Sequence, residues 1–206
     1  MKKLFKKSNG LYLITDRTIS GLSHSEIARQ AISAGVRTIQ LREKNMSRKA
    51  LYLEAASLRS LTSGHRATLI INDYVDIGLA VNADGVHLGQ DDMPIKEARK
   101  MLGKNKIIGI STHSLKQALS AQKAGADYIG FGPIFSTATK NAGVPKGINS
   151  LTEIRRHITI PVIAVGGITI KKTPAVLKAG ADAIAVASGI LSGNIMANVK
   201  KFLQVL

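Results

Sequence analysis

The stretch that decides the fold is Ala179-Gly180-Ala181-Asp182-Ala183-Ile184-Ala185. Its first half has the small residues that end a helix, with a Gly that can take a positive φ, and its second half is an apolar strand. The uninterrupted apolar run predicts a strand buried on both faces, as in a parallel sheet. Three further segments repeat this pattern: Ala34-Gly35-Val36-Arg37-Thr38-Ile39-Gln40, Ala83-Asp84-Gly85-Val86-His87-Leu88 and Ala124-Gly125-Ala126-Asp127-Tyr128-Ile129-Gly130.

The spacing of these segments indicates the architecture. They lie about fifty residues apart, or two units of about twenty-five, which is typical of a series of βα units. We therefore predict an α/β fold, a single (β/α)8 TIM barrel with its active site at the C-terminal ends of the strands. No linker or low-complexity tract divides the chain, so residues 1–206 are predicted to form one domain, with a basic N-terminal tail at 1–9.

Eight segments qualify as strands, because each is short, apolar and followed by a polar or glycine-containing loop. Helical periodicity fills the gaps between them, and Ser114 with Gln117 has the spacing of a capping box that starts the helix after the fifth strand. The predicted strands are Leu11–Ile14, Thr38–Leu41, Thr68–Ile71, Gly85–Leu88, Ile107–Ile110, Tyr128–Phe131, Val162–Val165 and Ala183–Val186.

Composition narrows the class of protein. A hydrophobic content of 45% is enough for the core of such a barrel, and the absence of Cys excludes disulfides and thiolate metal sites. No apolar run is long enough to span a bilayer, and the basic start at residues 1–7 is too short and too interrupted for a signal peptide. We expect a cytoplasmic protein with no membrane partner.

The charge is strongly positive, with 29 Lys and Arg against 13 Asp and Glu, a net +16. Such a charge has three possible explanations: a lysine-rich solvated surface, binding of phosphorylated small molecules, or binding of nucleic acid. Aromatic residues make up only 4% of the chain and the basic residues are dispersed, which disfavours base stacking. We expect small phosphorylated partners and no nucleic acid.

Polar residues stand where the second predicted strand ends, in Gln40-Leu41-Arg42-Glu43-Lys44. Strand alternation places Gln40, Arg42 and Lys44 on one side and Leu41 and Glu43 on the other. A guanidinium and an ammonium on one side of a barrel mouth suit a polyphosphate. An ordinary polar strand exit with a surface ion pair is the alternative.

Carboxylates follow the next two strands, in Asn72-Asp73 and in Gly89-Gln90-Asp91-Asp92. Adjacent strand ends of a barrel lie close together, so Asp73 and Asp92 can share one hard cation. Mg²⁺ is held by one or two carboxylates, with waters and substrate phosphates completing its shell. The alternative is that each Asp caps the helix that follows it.

The last four strand ends carry hydroxyls and glycines. His113, in Ser111-Thr112-His113, is a weak general-base signal without a carboxylate at fixed spacing, and His87 is predicted to be a hydrogen-bonded core residue. The long loop at 132–143 is expected to be functional. Gly166-Gly167 and Ala187-Ser188-Gly189 suit the phosphate site that barrels build from the last two loops.

Several of these motifs together resemble one family, that of thiamine phosphate synthase. The resemblance covers nearly the whole chain, from Tyr12 to about Ile190, and it is the combination that is specific. The segments are Gln40-Leu41-Arg42-Glu43-Lys44, Ile71-Asn72-Asp73, His87-Leu88-Gly89-Gln90-Asp91-Asp92, Gly130-Phe131-Gly132-Pro133-Ile134-Phe135, Thr137-Ala138-Thr139-Lys140 and Gly166-Gly167-Ile168.

The resemblance implies a reaction and a role for each matching residue. An aminopyrimidine-methyl diphosphate joins a thiazole phosphate, diphosphate leaves with help from Mg²⁺, and a dissociative path needs no protein nucleophile. Ala187 departs from the larger apolar residue expected at its position. The implied sites are Asp73 and Asp92 for Mg²⁺; Gln40, Leu41, Arg42, Glu43, Lys44, Asn72, Ser111 and Lys140 for the pyrimidine diphosphate; Thr137, Ala138, Thr139, Gly167, Ala187 and Ser188 for the thiazole phosphate; and Arg42, Lys44, Ser111 and Lys140 for catalysis.

Two other functions remain open from the sequence. A thiazole tautomerase of the same fold shares the last three loops but needs no magnesium, and the Asp73 and Asp92 pair argues against it. A non-catalytic phosphate-ligand sensor or nucleic-acid-binding module is the other. The sequence also does not decide whether the thiazole substrate is carboxylated or simple, or whether the chain forms a homo-oligomer. We expect the loop at 136–147 to close over both phosphates.

Overall fold

Eight parallel strands form a closed barrel in chain order, β1 to β8, in a computed structural model that describes residues 9–137 and 143–206. The predicted (β/α)8 barrel is confirmed. The strands are β1 Leu11–Ile14, β2 Thr38–Leu41, β3 Thr68–Asn72, β4 Gly85–Leu88, β5 Ile107–Thr112, β6 Tyr128–Phe131, β7 Val162–Val165 and β8 Ala183–Val186.

Helices surround the barrel. No helix in the described ranges is long and apolar enough to cross a membrane. Their bounds are α1 Arg17–Ser20, α2 His24–Ser33, α3 Arg48–Gly64, α4 Val75–Ala80, α5 Ile95–Leu102, α6 Leu115–Lys123, α7 Gly147–His157, α8 Thr173–Lys178, α9 Ser188–Leu191 and α10 Ile195–Leu203, with a 3₁₀ turn at Ile170–Lys172 before α8.

Six strands have the predicted bounds, and the other two run further toward the barrel mouth. β3 includes Asn72, which pairs with His87, and β5 includes Ser111 and Thr112, which pair with β6. Asn72 and Ser111 line the cavity, and buried Thr112 donates its hydroxyl to the Gly130 carbonyl, so the polarity of all three resembles a loop in the sequence. Asn72 and Ser111 are therefore held by the sheet ladder rather than by loops.

The glycine of the repeated motif has two different uses. Gly35, Gly125 and Gly180 have φ values of 116°, 93° and 100°, as predicted for helix ends. Gly85 differs, because it is the first residue of β4 and the left-handed residue of that turn is Asn82 at φ 52°. Gly85 is small for another reason: a Cβ there would lie 2.2 Å from the carbonyl oxygen of Ile107.

The aspartates of the motif connect neighbouring units at the N-terminal ends of the strands. Each carboxylate accepts a backbone N–H from the adjacent strand and pairs with an Arg of the helix that precedes this adjacent strand, which stabilises the end of the barrel opposite the active site. The three sets are Asp84 with Leu69 N at 2.8 Å and Arg59 at 2.6 Å, Asp127 with Ile108 N and Arg99 at 2.7 Å each, and Asp182 with Val162 N at 2.9 Å and Arg155 at 3.0 Å.

Alternation along the strands separates two layers of core. Leu11 and Leu13 pack outward against the helices in the main cluster. Tyr12, between them, points into the barrel with a small inner cluster that includes Ile70, Tyr128, Ile163, Ala183 and Ala185. Because the inner layer near β8 is made of alanines, space remains above the tyrosines toward the mouth.

Candidate active site

A cavity opens at the C-terminal ends of the strands. Eight residues that the sequence placed in the site line it: Gln40, Arg42, Asn72, Ser111, Thr137, Gly167, Ala187 and Ser188. The cavity also includes residues that the sequence did not assign to it, among them Tyr12, Asp16, His87, His113, Tyr128 and Ile163.

The end of β2 divides its side chains as strand alternation predicts. Gln40 and Arg42 face the cavity, whereas Leu41 is 1% exposed within the outer core. Glu43 lies against buried His24, with Oε2 at 3.2 Å from Nε2. The structure does not bring the side chains of Leu41 and Glu43 to the cavity, so only their backbone atoms remain for the predicted substrate contact.

Arg42 is held in place at the mouth by Asp16. Its Nη1 lies 3.3 Å from Asp16 Oδ2, and both side chains are mostly buried. The other oxygen of Asp16 accepts the backbone N–H of Thr18 at 3.0 Å and caps α1. One carboxylate therefore fixes a helix and orients the guanidinium.

A compact cluster of Lys44, Asp73 and Asp92 lies beside the cavity. Lys44 Nζ is 3.1 Å from Asp73 Oδ2, and the two carboxyl groups are within hydrogen-bonding distance of each other. Burial, and then the neighbouring Asp92 carboxyl, raise the pKa of Asp73, although Lys44 acts in the opposite direction. Two carboxylates brought together in this way favour a cation between them.

Neither aspartate caps a helix, which was the alternative reading. The N-cap residues of α4 and α5 are Tyr74 and Pro94, and neither makes a side-chain cap bond. Asp92 Oδ2 instead accepts the N–H of Gly89 at 2.6 Å. Hard oxygen donors on adjacent strand ends fit Mg²⁺, and no group of three such ligands exists in residues 9–137 and 143–206, so waters and phosphate oxygens would complete the shell.

The glycine turn after β7 packs against the loop that follows β6. Gly167 has φ 63°, and a Cβ on it would lie 2.3 Å from the carbonyl oxygen of Ser136. Phe135 N donates to the Gly166 carbonyl at 3.0 Å, and Lys172 Nζ lies 4.2 Å above the Phe135 ring. These contacts place Thr137 on the same wall of the cavity as the last two strand ends.

Three predicted site residues, Ala138, Thr139 and Lys140, lie outside the described ranges, which omit 138–142. Their roles, and the predicted closure of the loop at 136–147, remain predictions. The described ends of this loop are anchored, because Lys146 N donates to the Pro133 carbonyl at 2.7 Å and Gly147 N to that of Ile134 at 3.0 Å.

Comparison with known proteins shows the family. The family model described as thiamine monophosphate synthase matches residues 11–190. The chain belongs to the thiamine monophosphate synthase family. Membership makes the protein an enzyme of the transferase class, which the resemblance predicted.

Individual members of the thiamine monophosphate synthase family are similar over most of their length. The chain is 47% identical to the thiamine-phosphate synthase of Chloroflexus aurantiacus, covering 89% of this chain and 86% of that protein. It is 47% identical to that of Clostridium novyi, with 94% and 96% covered. The structure of thiamine phosphate pyrophosphorylase from Pyrococcus furiosus superimposes with a TM-score of 0.90 at 39% identity, covering 98% of this chain and 96% of that one.

Two histidines of this thiamine monophosphate synthase family member are fixed by hydrogen bonds near the mouth. His113 Nδ1 donates to the Gly132 carbonyl at 2.6 Å. His24 is fully buried, with Nδ1 at 2.7 Å from Thr15 Oγ1. Burial lowers the pKa of His24 despite the neighbouring Glu43, so folding disfavours the charged form of this imidazole.

We expect the buried His24 to make stability fall in mild acid. Its pKa is lower folded than unfolded, so below the unfolded value of about 6.5 the unfolded chain binds a proton that the folded protein does not. The free energy of unfolding should therefore drop between about pH 7.5 and about pH 5.5, by at most about 1.4 kcal/mol per pH unit for one proton.

Urea unfolding of wild type and His24→Gln across this range measures the effect. His24→Gln removes the titration and should flatten the pH dependence, whereas His65→Gln, at an exposed position, should not. Parallel curves for wild type and His24→Gln would contradict the expectation. The neighbouring Glu43 titrates below the ordinary pKa of a glutamate. Burial raises its pKa, but hydrogen bonds from Asn45, His24 and Lys44 outweigh this effect and lower it.

Proposed function

We propose that the protein joins 4-amino-2-methyl-5-pyrimidinylmethyl diphosphate to a thiazole phosphate, giving thiamine phosphate and diphosphate. The C–O bond to diphosphate breaks, and the thiazole nitrogen forms the new bond to the pyrimidine methylene carbon. A dissociative order, in which diphosphate leaves first, needs charge stabilisation and positioning rather than a protein nucleophile.

One observation carries the proposal: a guanidinium, an ammonium and a carboxylate pair meet at one mouth. Arg42 lines the cavity, and Lys44 with Asp73 and Asp92 lies beside it. The two basic side chains alone would suit many anions, but the carboxylate pair would repel an anion that arrives without a cation. A diphosphate with a bound divalent cation suits both halves of this arrangement.

The departing diphosphate is the natural ligand of this mouth. Arg42 can offer two N–H groups to its oxygens, held in direction by Asp16, while Lys44 adds a point charge. Lys140 is proposed to add another from the loop after β6. Asp73 and Asp92 would hold Mg²⁺, which when bound supplies charge neutralisation for the leaving group.

The opposite wall suits the thiazole phosphate. Gly166 and Gly167 line this wall with positive φ values of 97° and 63°, and their backbone N–H groups are proposed to bind the phosphate oxygens. Ala187 and Ser188 line the same wall at the end of β8. Because these contacts come through the backbone, the small side chain of Ala187 is compatible with them. Thr137, Ala138 and Thr139 are proposed to complete this site.

The floor of the cavity suits the pyrimidine. Gln40 and Asn72 are buried, 3% and 8% exposed, on adjacent strands, and Ser111 lies across the barrel on β5. Their amides and hydroxyl can donate and accept at the ring nitrogens and amino group. Orientation of the ring by these groups would leave its methylene carbon toward the thiazole nitrogen.

An assay with purified protein tests the proposal. Both the simple and the carboxylated thiazole phosphate are supplied with the pyrimidine diphosphate and Mg²⁺, and thiamine phosphate and diphosphate are quantified. Equal amounts of the two products are expected with at least one thiazole. Release of diphosphate without thiamine phosphate, or no turnover with either thiazole, would overturn the proposed reaction.

Asp16→Asn should lower turnover without unfolding the protein. The amide oxygen can still cap α1, but the charge that orients Arg42 is lost, and a poorly placed group costs up to about 10²-fold in rate. We expect a roughly tenfold fall in kcat with a melting temperature close to wild type. Asp16→Ala should show the same kinetic fall and, in addition, lose about 1 kcal/mol of stability with the cap. Full activity of Asp16→Asn would show that Arg42 needs no partner.

A further inference from the structure

A continuous chain of hydrogen bonds crosses the floor of the barrel. It begins at Gln40, whose Nε2 donates to Tyr12 OH at 2.9 Å. Tyr12 OH lies 3.0 Å from Tyr128 OH, which lies 2.9 Å from His87 Nδ1. His87 Nε2 is in turn 2.9 Å from Ser111 Oγ, so five side chains from five strands end at a hydroxyl in the cavity.

The barrel interior is shaped to hold these rings. Gly109 pairs with both His87 and Tyr128, and a Cβ on it would lie 2.0 Å from Tyr128 Cζ. A Cβ on Gly130 would lie 3.1 Å from His87 Cε1. Gly109 on β5 and Gly130 on β6 are glycines because the rings occupy the space that their side chains would fill. Larger residues at these two positions would exclude the chain of hydrogen bonds.

The first member is consistent with donation that runs from Gln40 toward Ser111. The amide nitrogen of Gln40 can only donate, so the Tyr12 oxygen accepts from it. Burial raises the pKa of both Tyr12 and Tyr128, so both keep their protons and can donate onward. If each hydroxyl donates to the next group, His87 Nδ1 accepts from Tyr128 and the ring proton lies on Nε2, directed at Ser111.

We propose that Tyr128 and His87 are positioning residues that fix Ser111 Oγ as an acceptor and so direct its hydroxyl proton into the cavity. With Oγ accepting from His87, the Ser111 proton is available to the substrate. Tyr12 orients the Tyr128 hydroxyl and is one step further away. The inference rests on the proposed function for the identity of the substrate. It gives a positioning role to residues that resemble ordinary core residues in the sequence.

Nitrogen-15 NMR of the histidine rings tests the direction in the free protein. The His87 signals are assigned by their loss in His87→Gln. At a pH well above the usual pKa of imidazole, they should show a protonated Nε2 and an unprotonated Nδ1. Tyr128→Phe keeps the ring that fills the space beside Gly109 but removes the donor, so the tautomer should shift toward Nδ1–H. Tyr52→Phe, at an exposed tyrosine of α3, should leave the signals unchanged.

Kinetics of the same variants test the role. Tyr128→Phe should lower kcat about three- to tenfold, the worth of one net hydrogen bond, whereas Tyr52→Phe should leave kcat unchanged. If Tyr128 acts through Ser111, Tyr128→Phe should have no further effect in a Ser111→Ala background. A merely structural tyrosine would give additive losses.

The outcomes separate the two proposals. A wild-type His87 with its proton on Nδ1, an unchanged tautomer in Tyr128→Phe, or additive losses with Ser111→Ala would each overturn the positioning role. Failure to form thiamine phosphate would instead overturn the proposed function, and the tautomer measurement would stand, because it needs no substrate.

Discussion

Asp73→Asn and Asp92→Asn are each expected to lower turnover by roughly 10²-fold or more. Changing a residue that only hydrogen-bonds to a metal ligand already lowers metal affinity or activity by about 10- to 100-fold. The effect should be at least as large here, because these carboxylates are the proposed ligands themselves. The expected cause is weaker binding of Mg²⁺ and hence of the diphosphate. Steady-state rates measured against Mg²⁺ concentration should show a raised requirement for the metal in both variants.

Asparagine is the right replacement at both positions. Asp73 has φ 64°, a left-handed conformation that Asn tolerates and Ala does not, and the amide oxygen of Asn at position 92 can still accept the N–H of Gly89. Folding should therefore be kept. Asp91→Asn, exposed in the same loop as Asp92, is the matched control and should remain active.

Chelation provides an independent measurement. Exhaustive EDTA treatment should abolish turnover, and added Mg²⁺ should restore it. Undiminished turnover after this treatment would show that the carboxylate pair has another purpose. Equal losses in Asp91→Asn and Asp92→Asn would point to a change in the whole loop rather than to a lost ligand.

The strands could be predicted because their burial has a simple sequence signature. A parallel strand covered on both faces is an apolar run, and a glycine ends the helix before it. The predicted strands end too early, before Asn72 and before Ser111 and Thr112, because a strand that continues with polar residues near the mouth resembles a loop in the sequence. Gly85 was assigned a turn role, although it is small because the Ile107 carbonyl on the neighbouring strand lies against it.

The candidate site was predictable where one strand carries the information. Alternation alone placed Gln40 and Arg42 inward and Leu41 and Glu43 outward. The floor was not predictable in this way, because Tyr12, His87 and Tyr128 are brought together by cross-strand register. Each resembles a core residue within its own strand, and only the closed barrel makes them neighbours. Asp16 was missed because its partner Arg42 lies across a strand pair.

Arg42→Ala is expected to depress kcat and kcat/KM together, by roughly 10²- to 10³-fold. The guanidinium is proposed to stabilise negative charge that grows on the diphosphate as it departs, and one such donor is worth that much elsewhere. The substrate dissociation constant, measured separately, should change far less than the rate. A change in KM alone would mean that Arg42 binds substrate and transition state equally well.

Two further variants separate charge from geometry at this position. Arg42→Lys keeps the charge and the partnership with Asp16, but a point charge cannot reproduce a guanidinium fork, so it should recover only part of the lost rate. Arg29→Ala, at an exposed position of α2, removes the same charge from the outer surface and should leave kcat unchanged. If Arg42→Lys were fully active, long-range attraction would be enough and the orientation given by Asp16 would be unnecessary. The Arg42→Lys and Asp16→Asn results must therefore agree, because both depend on a guanidinium held in one direction.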